Sequence, residues 1–193
     1  MHHFFAMLSR MKYINRWGLM RNTRNENICE HSLDVAVISH ALALIGNKRY
    51  DKNYNTERAA MLGIMHDAPE IITGDMPTPV KYHSKEISKA YKEVESIAVD
   101  RLTSMLPEDF RQDYEDLFNF SGDGDEELKK LVKAADKISA IIKCIEEKKS
   151  GNSEFSKAEQ ALRKAVSDMN MPEVSCFMEE FLPSYCLTLD ELG

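Results

Sequence analysis

Leu128-Lys129-Lys130-Leu131-Val132-Lys133-Ala134-Ala135-Asp136-Lys137-Ile138-Ser139-Ala140-Ile141-Ile142-Lys143-Cys144-Ile145 decides the fold class. Leu128, Leu131, Val132, Ala135, Ile138, Ile142 and Ile145 recur every three or four residues and share one broad face of a helix. The pattern starts at Asp125, after the loop Ser121-Gly122-Asp123-Gly124, and Gly151-Asn152 ends it. One residue breaks the face. Asp136 lies among apolar neighbours, and a carboxylate there needs a cation or several donors. A salt bridge to Lys133, Lys137 or a distant Arg is one answer, and a metal ion is another.

Helical periodicity continues on both sides. A helix is expected from about His2 to Ile14, and a second after Glu30-His31-Ser32. The second carries Leu33, Val37, Ala41 and Leu44 on its apolar stripe and stops at Gly46-Asn47. A third runs from about Thr56, as N-cap, through Met61, Leu62 and Met65 to His66-Asp67. Thr73-Gly74-Asp75-Met76-Pro77-Thr78-Pro79 reads as a stiff non-helical loop, because each proline pushes the residue before it toward extended backbone. A long helix follows from about Ser84 to Met105, then a short one after Pro107. Ser153 caps a helix to about Met169, and Pro172 begins the last. No repeat, low-complexity tract or convincing strand interrupts the series, so the class is all-α, in one domain spanning 1–193.

Composition narrows the function. The 193 residues are 43% hydrophobic and 30% charged, ordinary for a globular chain. The net charge of −7 argues against a general nucleic-acid polymer binder or a binder of anionic lipid. Arg10, Lys12, Arg16, Arg21 and Arg24 nevertheless cluster before residue 25 with no acid among them. That cluster is either a solvated basic face or a local site for a small anion. Cys29, Cys144, Cys176 and Cys186 include no C-x-x-C pair and read as reduced thiols. The start, MHHFFAMLSRMKY, has no apolar signal core, and no apolar run approaches the ~20 residues that span a bilayer. A cytoplasmic protein without a membrane partner is the default expectation.

The chemistry concentrates in a few polar residues. His66 and Asp67 are adjacent at the end of an apolar helix, and Glu70 shares their face if the helix persists. Pro69 removes a backbone N–H, so the helix is expected to end or kink there. His31 opens another helix, while His40 falls on its opposite side, and His83 reads as a rim residue. Taken together, His31, His66-Asp67 and Asp136 form an H…HD…D series on three helices. Two imidazoles and two carboxylates suit one divalent transition metal, such as Co, Mn, Fe or Zn, better than calcium. A metal would also answer the burial of Asp67 and Asp136 at one stroke. As a bare pattern the series is only moderately specific, because its gaps are unconstrained.

Longer stretches sharpen the reading. Ile14-Asn15-Arg16-Trp17, Arg21-Asn22 and Asn27-Ile28-Cys29-Glu30-His31-Ser32-Leu33 resemble the bacterial HD-domain 5′-deoxynucleotidases, within the HD superfamily of metal-dependent phosphohydrolases. So do His66-Asp67-Ala68-Pro69-Glu70, the run from Thr73 through Lys81-Tyr82, Lys133-Ala134-Ala135-Asp136 and Phe181-Leu182-Pro183-Ser184. The likeness extends nearly end to end. It implies an HD-domain helical bundle, a homodimer, and hydrolysis of 2′-deoxynucleoside 5′-monophosphates to nucleoside and inorganic phosphate. It further implies that His31, His66, Asp67 and Asp136 bind the metal, with His31 and Asp136 also facing substrate. Arg16 and Trp17 would hold the 5′-phosphate, Glu70 would assist proton transfer, and Asp75, Met76, Pro77 and Thr78 would shape the nucleoside pocket. Pro69 departs from the small polar residue of relatives and puts the placement of Glu70 in question.

These roles make physical sense. The fork of an arginine can grip two phosphate oxygens where a lysine offers a point charge. Trp17 could donate its indole N–H or wall the phosphate, although without its Arg16 neighbour and the resemblance it reads first as a core aromatic. Glu70 could take a proton from water or deliver one to the leaving oxygen. Two rival functions stay open: another HD phosphohydrolase acting on nucleoside di- or triphosphates, and a noncatalytic nucleotide-binding helical module. The resemblance implies that several bases are accepted, and the sequence offers no obvious base-reading code.

Overall fold

The computed structural model describes residues 1–81 and 83–193; Tyr82, part of the motif above, lies outside them. The helices are α1 (Phe4–Leu8), α2 (Ile28–Arg49), α3 (Thr56–Met65), α4 (Glu70–Thr73), α5 (Thr78–Lys81), α6 (Lys85–Thr103), α7 (Glu108–Asn119), α8 (Asp125–Lys149), α9 (Ser156–Ser167) and α10 (Pro172–Glu180). Among the described residues there is no strand, only an isolated antiparallel bridge between Asn15 and Asn27. The all-α expectation holds.

The helix starts follow local chemistry. The Asn27 side chain accepts from the backbone N–H of Cys29 and Glu30, and Glu30 reaches back to the Asn27 N–H. This capping box satisfies donors that the first turn of α2 leaves free. Asn55, rather than Thr56, caps α3 through the Arg58 N–H, and Ser84 caps α6. Arg58 then holds Asp125 with Nε–Oδ1 and NH2–Oδ2 distances of 3.0 and 2.7 Å, tying α3 to the start of α8.

The core lies where α2, α3 and α8 meet. Leu42, Leu62, Leu131, Ile138 and Ile141 are fully buried there, and burying each such side chain contributes about 1.5–3 kcal/mol. The α8 face read from the sequence is buried throughout. Gly63 lets α3 approach α2 closely: a Cβ on it would stand 2.8 Å from Cα of Ala36. That contact brings the end of α3, with His66, toward the first turns of α2, with His31.

Several expectations are corrected. The N-terminal helix is α only over Phe4–Leu8 and then tightens to a 3₁₀ turn over Ser9–Tyr13. The stripe Leu33, Val37 and Leu44 is exposed, at 61%, 61% and 41%. α2 is apolar on two faces, and Val35, Ile38, Leu42 and Ile45 form the one turned to the core. Nor does α2 stop at Gly46. It continues to Arg49, and the Gly46 carbonyl accepts from the N–H groups of Tyr50 and Lys52. At 22 residues, with a hydropathy of 1.5, α2 is also long and apolar enough to cross a membrane by length and composition, contrary to the reading of the apolar runs. It serves here as the central helix, between α3, α8 and α10. Finally, the 73–79 stretch is not all loop. Thr73 ends α4 and Thr78 begins α5, so the break is Gly74–Pro77. Pro79 fits the first turn of α5 because no intrahelical partner awaits an N–H there.

Candidate active site

Four side chains from α2, α8 and the end of α3 converge. His31 is fully buried in the second turn of α2. Its Nδ1 is 3.1 Å from Oγ of Ser139, one turn along α8 from Asp136. Its Nε2 lies 3.2 Å from Oδ1 of Asp136 and 3.4 Å from Oδ2 of Asp67. His66 caps the C-terminal end of α3. Its Nδ1 stands 2.7 Å from the carbonyl oxygen of Gly63, which can only accept, so Nδ1 carries a proton and Nε2 faces Oδ2 of Asp67 at 3.2 Å.

The donor set fits a metal. Nε2 of both histidines is buried without a hydrogen-bond partner among the described residues, and the ligand atoms of His31, His66 and Asp67 lie within 4.8 Å of one another. Asp136 joins them through His31, with its side chain 36% exposed. Burial disfavours the Asp67 carboxylate, yet His66 and His31 beside it hold its pKa well below the usual range. Asp136 is lowered in the same way, chiefly by His31 against the cost of burial. Burial opposes a charge on His66, but Asp67 foremost raises its pKa. The cluster therefore has an unmet demand for positive charge, which a divalent cation would answer.

Arg16 sits beside this cluster at the isolated antiparallel bridge of Asn15 and Asn27, and Trp17 follows it. The Arg16 N–H donates to the carbonyl of Glu26 at 2.9 Å, and the Ile28 N–H to that of Ile14 at 2.9 Å. The Arg16 guanidinium reaches Oδ1 of Asp136 with NH2 at 3.8 Å and Oε2 of Glu26 with NH1 at 3.4 Å. The basic partner of Asp136 is thus neither Lys133 nor Lys137. Burial works against the Arg16 charge, but Glu26, Asp136, Asp67 and Asp75, in that order, raise its pKa. The Trp17 indole N–H is committed to Oε2 of Glu26 at 2.8 Å, and its ring meets Phe155 edge-on at 5.2 Å. Of the two uses considered for Trp17, the wall therefore fits this geometry and the indole donor does not.

Glu70 begins α4, after the helix has broken at His66–Pro69 as Pro69 required. It is buried, and its Oε2 has no hydrogen-bond partner among the described residues. Burial first, then Asp67 and Asp75, push its carboxyl up to about 9. Asp75 follows Gly74, whose φ of 74° and ψ of 160° suit glycine alone. Burial raises the Asp75 pKa, and Arg16 partly offsets it. Met76 and Pro77 are half-buried beside it, and Thr78 is exposed.

The family described as 5′-deoxynucleotidase YfbR-like matches residues 3–185. The chain belongs to this family. A 5′-deoxynucleotidase of Pectobacterium atrosepticum is 50% identical over 191 residues, covering 99% of this chain and 96% of that protein. One from Yersinia pestis is 49% identical over 193 residues, covering 100% and 98%. Among solved structures, an HD-domain phosphohydrolase from Listeria innocua superposes with a TM-score of 0.78 at 24% identity, covering 95% of this chain and 88% of that one. A cyanophage S-2L HD phosphohydrolase, bound to dA and one catalytic Zn²⁺, superposes with a TM-score of 0.66 at 18% identity, covering 93% and 96%. These likenesses establish the HD-type fold.

Within this YfbR-like frame, three residues escaped the sequence reading. Ser139 fixes the ring of His31, Gly63 fixes that of His66, and Glu26 holds Arg16 and Trp17. Ser139 had a signal, since it lies one helical turn from Asp136. Glu26 had a fainter one, as the first acid after an acid-free basic stretch.

Proposed function

We propose that this chain is a 5′-deoxynucleotidase that hydrolyses 2′-deoxynucleoside 5′-monophosphates to deoxynucleoside and inorganic phosphate. The observation that carries the reading is the convergence of two imidazole Nε2 atoms without a hydrogen-bond partner among the described residues and two carboxylates beside a half-buried arginine. The family match and the full-length relatives support the substrate class.

His31, His66, Asp67 and Asp136 hold one divalent transition metal per chain, of the class Co, Mn, Fe or Zn. The cyanophage relative, with its single zinc, supports that stoichiometry. When bound, such an ion supplies Lewis acidity and makes water a competent nucleophile near neutral pH. Arg16 grips the 5′-phosphate, its charge-assisted bonds strengthening as negative charge builds on the oxygens. Trp17 walls the phosphate side. Glu70 moves a proton at Oε2, which has no hydrogen-bond partner among the described residues, between water and the leaving 5′-oxygen. Asp75 to Thr78 form the sugar wall.

The protein acts as a homodimer in the cytoplasm, without a membrane or nucleic-acid polymer as partner. The exposed Leu33, Val37 and Leu44 stripe of α2 supports self-association, and four free cysteines suit a reducing compartment. The experiment that tests the function is phosphate release from nucleoside mono-, di- and triphosphates across a panel of divalent metals. Orthophosphate from deoxynucleoside monophosphates supports the reading. Turnover of triphosphates alone, with triphosphate as product, refutes it.

A further inference from the structure

Arg16 approaches the metal-ligand cluster with one end of its guanidinium, and the other end is fixed. NH2 faces Oδ1 of Asp136 at 3.8 Å, while NH1 faces Oε2 of Glu26 at 3.4 Å. The same Glu26 oxygen receives the indole N–H of Trp17 at 2.8 Å. Glu26 is only 8% exposed, so its charge is screened little by water. Its backbone is locked as well, because its carbonyl accepts the Arg16 N–H at 2.9 Å. Main chain and side chain of one residue thus register Arg16 twice.

The strain nearby gives this grip a purpose. Trp17 adopts φ 60°, a left-handed conformation uncommon for a bulky side chain. The Met20 N–H donates to the Trp17 carbonyl at 2.8 Å, and the Asn22 amide does so at 3.3 Å. That turn swings the indole back toward Glu26, where its N–H finds an acceptor in a half-buried setting. A guanidinium on a flexible stem would otherwise be free to fold onto the carboxylates of Asp67, Asp75 or Asp136, which all attract it. Glu26 holds it short of that collapse.

We infer that Glu26 is a positioning residue for catalysis, aiming Arg16 at the substrate phosphate and seating Trp17 through a single carboxylate oxygen. The inference rests on the reading of Arg16 as the phosphate-binding residue. Glu26 touches no reacting atom; it acts through Arg16 and Trp17. Misplacement of a substrate-gripping group by about 1 Å can cost about 100-fold in rate, and that is the loss expected when the carboxylate is removed.

The test uses the metal-loaded full chain with dAMP as probe, in Glu26→Ala, Glu26→Gln, Arg16→Ala and the Arg16→Ala/Glu26→Ala double variant. Metal content, kcat/KM and the emission of Trp17, the single tryptophan, are measured on each. Glu26→Ala is expected to keep its metal, lose about 100-fold in kcat/KM and shift the emission. The losses in the double variant are expected to fall well short of the two single losses combined, since residues acting as a unit are not additive. Glu26→Gln retains an acceptor for the indole but not the charge, so it should restore the emission while kcat/KM stays low. Wild-type kcat/KM in either Glu26 variant, with Arg16→Ala impaired, overturns the inference and spares the role of Arg16. Additive losses in the double variant also overturn it, by showing that Glu26 acts independently. Wild-type kinetics in Arg16→Ala removes the reading of Arg16, and the inference with it. If Glu26→Ala does not fold, the near-isosteric Glu26→Gln decides by the same kinetic criterion.

Discussion

Nε2 of His31 stands 3.2 Å from Oδ1 of Asp136, joining the second turn of α2 to the middle of α8. The ring is aimed by Ser139, whose Oγ holds Nδ1 at 3.1 Å from the same helix that supplies Asp136. Ligand and orienting residue thus move together, which favours a preorganised site.

The first prediction follows from that pairing. Asp136→Ala and His66→Ala should lose both bound metal and turnover, and chelation of the unaltered protein should abolish activity that one metal per chain restores. Ser139→Ala should keep all four ligands yet weaken metal affinity by roughly 10–100-fold, the usual cost of removing a residue that orients a ligand. Elemental analysis and metal titration read both effects. Two tightly held catalytic ions per chain would contradict the single-site reading.

Gly63 carries the second prediction. An added methyl would meet Cα of Ala36 at 2.8 Å and the Ala36 nitrogen at 3.0 Å, both backbone atoms that cannot step aside. Gly63→Ala should therefore destabilise the fold by roughly 1–3 kcal/mol, as overpacking does. It should also loosen metal binding, because the Gly63 carbonyl holds His66. Urea unfolding with and without added metal separates the two effects. Unchanged stability would show that α2 and α3 can part at no cost.

The α8 pattern was legible because helical spacing sets it within one segment, whereas His31, His66-Asp67 and Asp136 sit on three helices with unconstrained gaps and were legible through their residue types and the motifs around them. What escaped was chiefly contact between distant segments. Leu33, Val37 and Leu44 have the periodicity of a core face, and Val35, Ile38 and Leu42 have it too. Periodicity identifies an apolar face, not what covers it. Pro77 and Pro79 read together as a helix breaker, although Pro79 is admissible in a first turn. Glu26 looks unremarkable in sequence, and only the pairing of Ile14–Arg16 with Glu26–Ile28 sets it against Arg16.

The third prediction concerns acid stability. Glu147 is buried and bonded to Lys143, Asn152 and Thr23, and Lys143 also donates to the Arg24 carbonyl at 2.6 Å. Burial opposes its charge, but Lys143 first, then Asn152 and Thr23, hold its carboxyl down at about 2, against an ordinary value of 4.5. Such a group stabilises the fold in full above its unfolded value, and that stability drains away as pH falls through the folded one. Between pH 4.5 and about 2 the protein should lose Tm, and more steeply than Glu147→Gln does. Parallel slopes for the two proteins would remove Glu147 as the cause.

A fourth prediction addresses assembly. Val37 lies mid-stripe on α2 and is 61% exposed. Val37→Glu should convert a dimer to a monomer in sedimentation velocity with little loss of helical content, because a charge in a closed apolar interface is costly and on an open surface is not. A wild-type protein that sediments as a monomer at micromolar concentration would end the dimer proposal.

The last prediction concerns sugar choice. The enzyme should prefer 2′-deoxyribonucleotides to ribonucleotides while tolerating several bases. An apolar pocket that merely accommodates an extra hydroxyl discriminates only ~100-fold, so strong selectivity needs a wall that cannot yield. The Gly74–Pro77 segment is built as one. Gly74 ends α4 with its N–H bonded to the Glu70 carbonyl at 2.8 Å, and the Pro77 carbonyl starts α5 by accepting from Val80 and Lys81 at 2.8 and 3.1 Å. The segment is therefore tied at both ends, with the ring of Pro77 fixing its own φ. Asp75 is half-buried between them, and its carboxylate could accept a bond from the 3′-hydroxyl. That bond would keep the sugar from sliding away from a clash at C2′. Matched kcat/KM values for dAMP and AMP, then the same pair on Pro77→Gly, test the idea. The variant should lose selectivity chiefly by gaining rate on AMP, since a softened wall readmits the hydroxyl. Equal rates on both nucleotides in the unaltered protein would end the assignment of sugar selectivity. Selectivity that survives Pro77→Gly would spare the function and place the discrimination in Asp75 or its neighbours instead of in the stiffness of the loop.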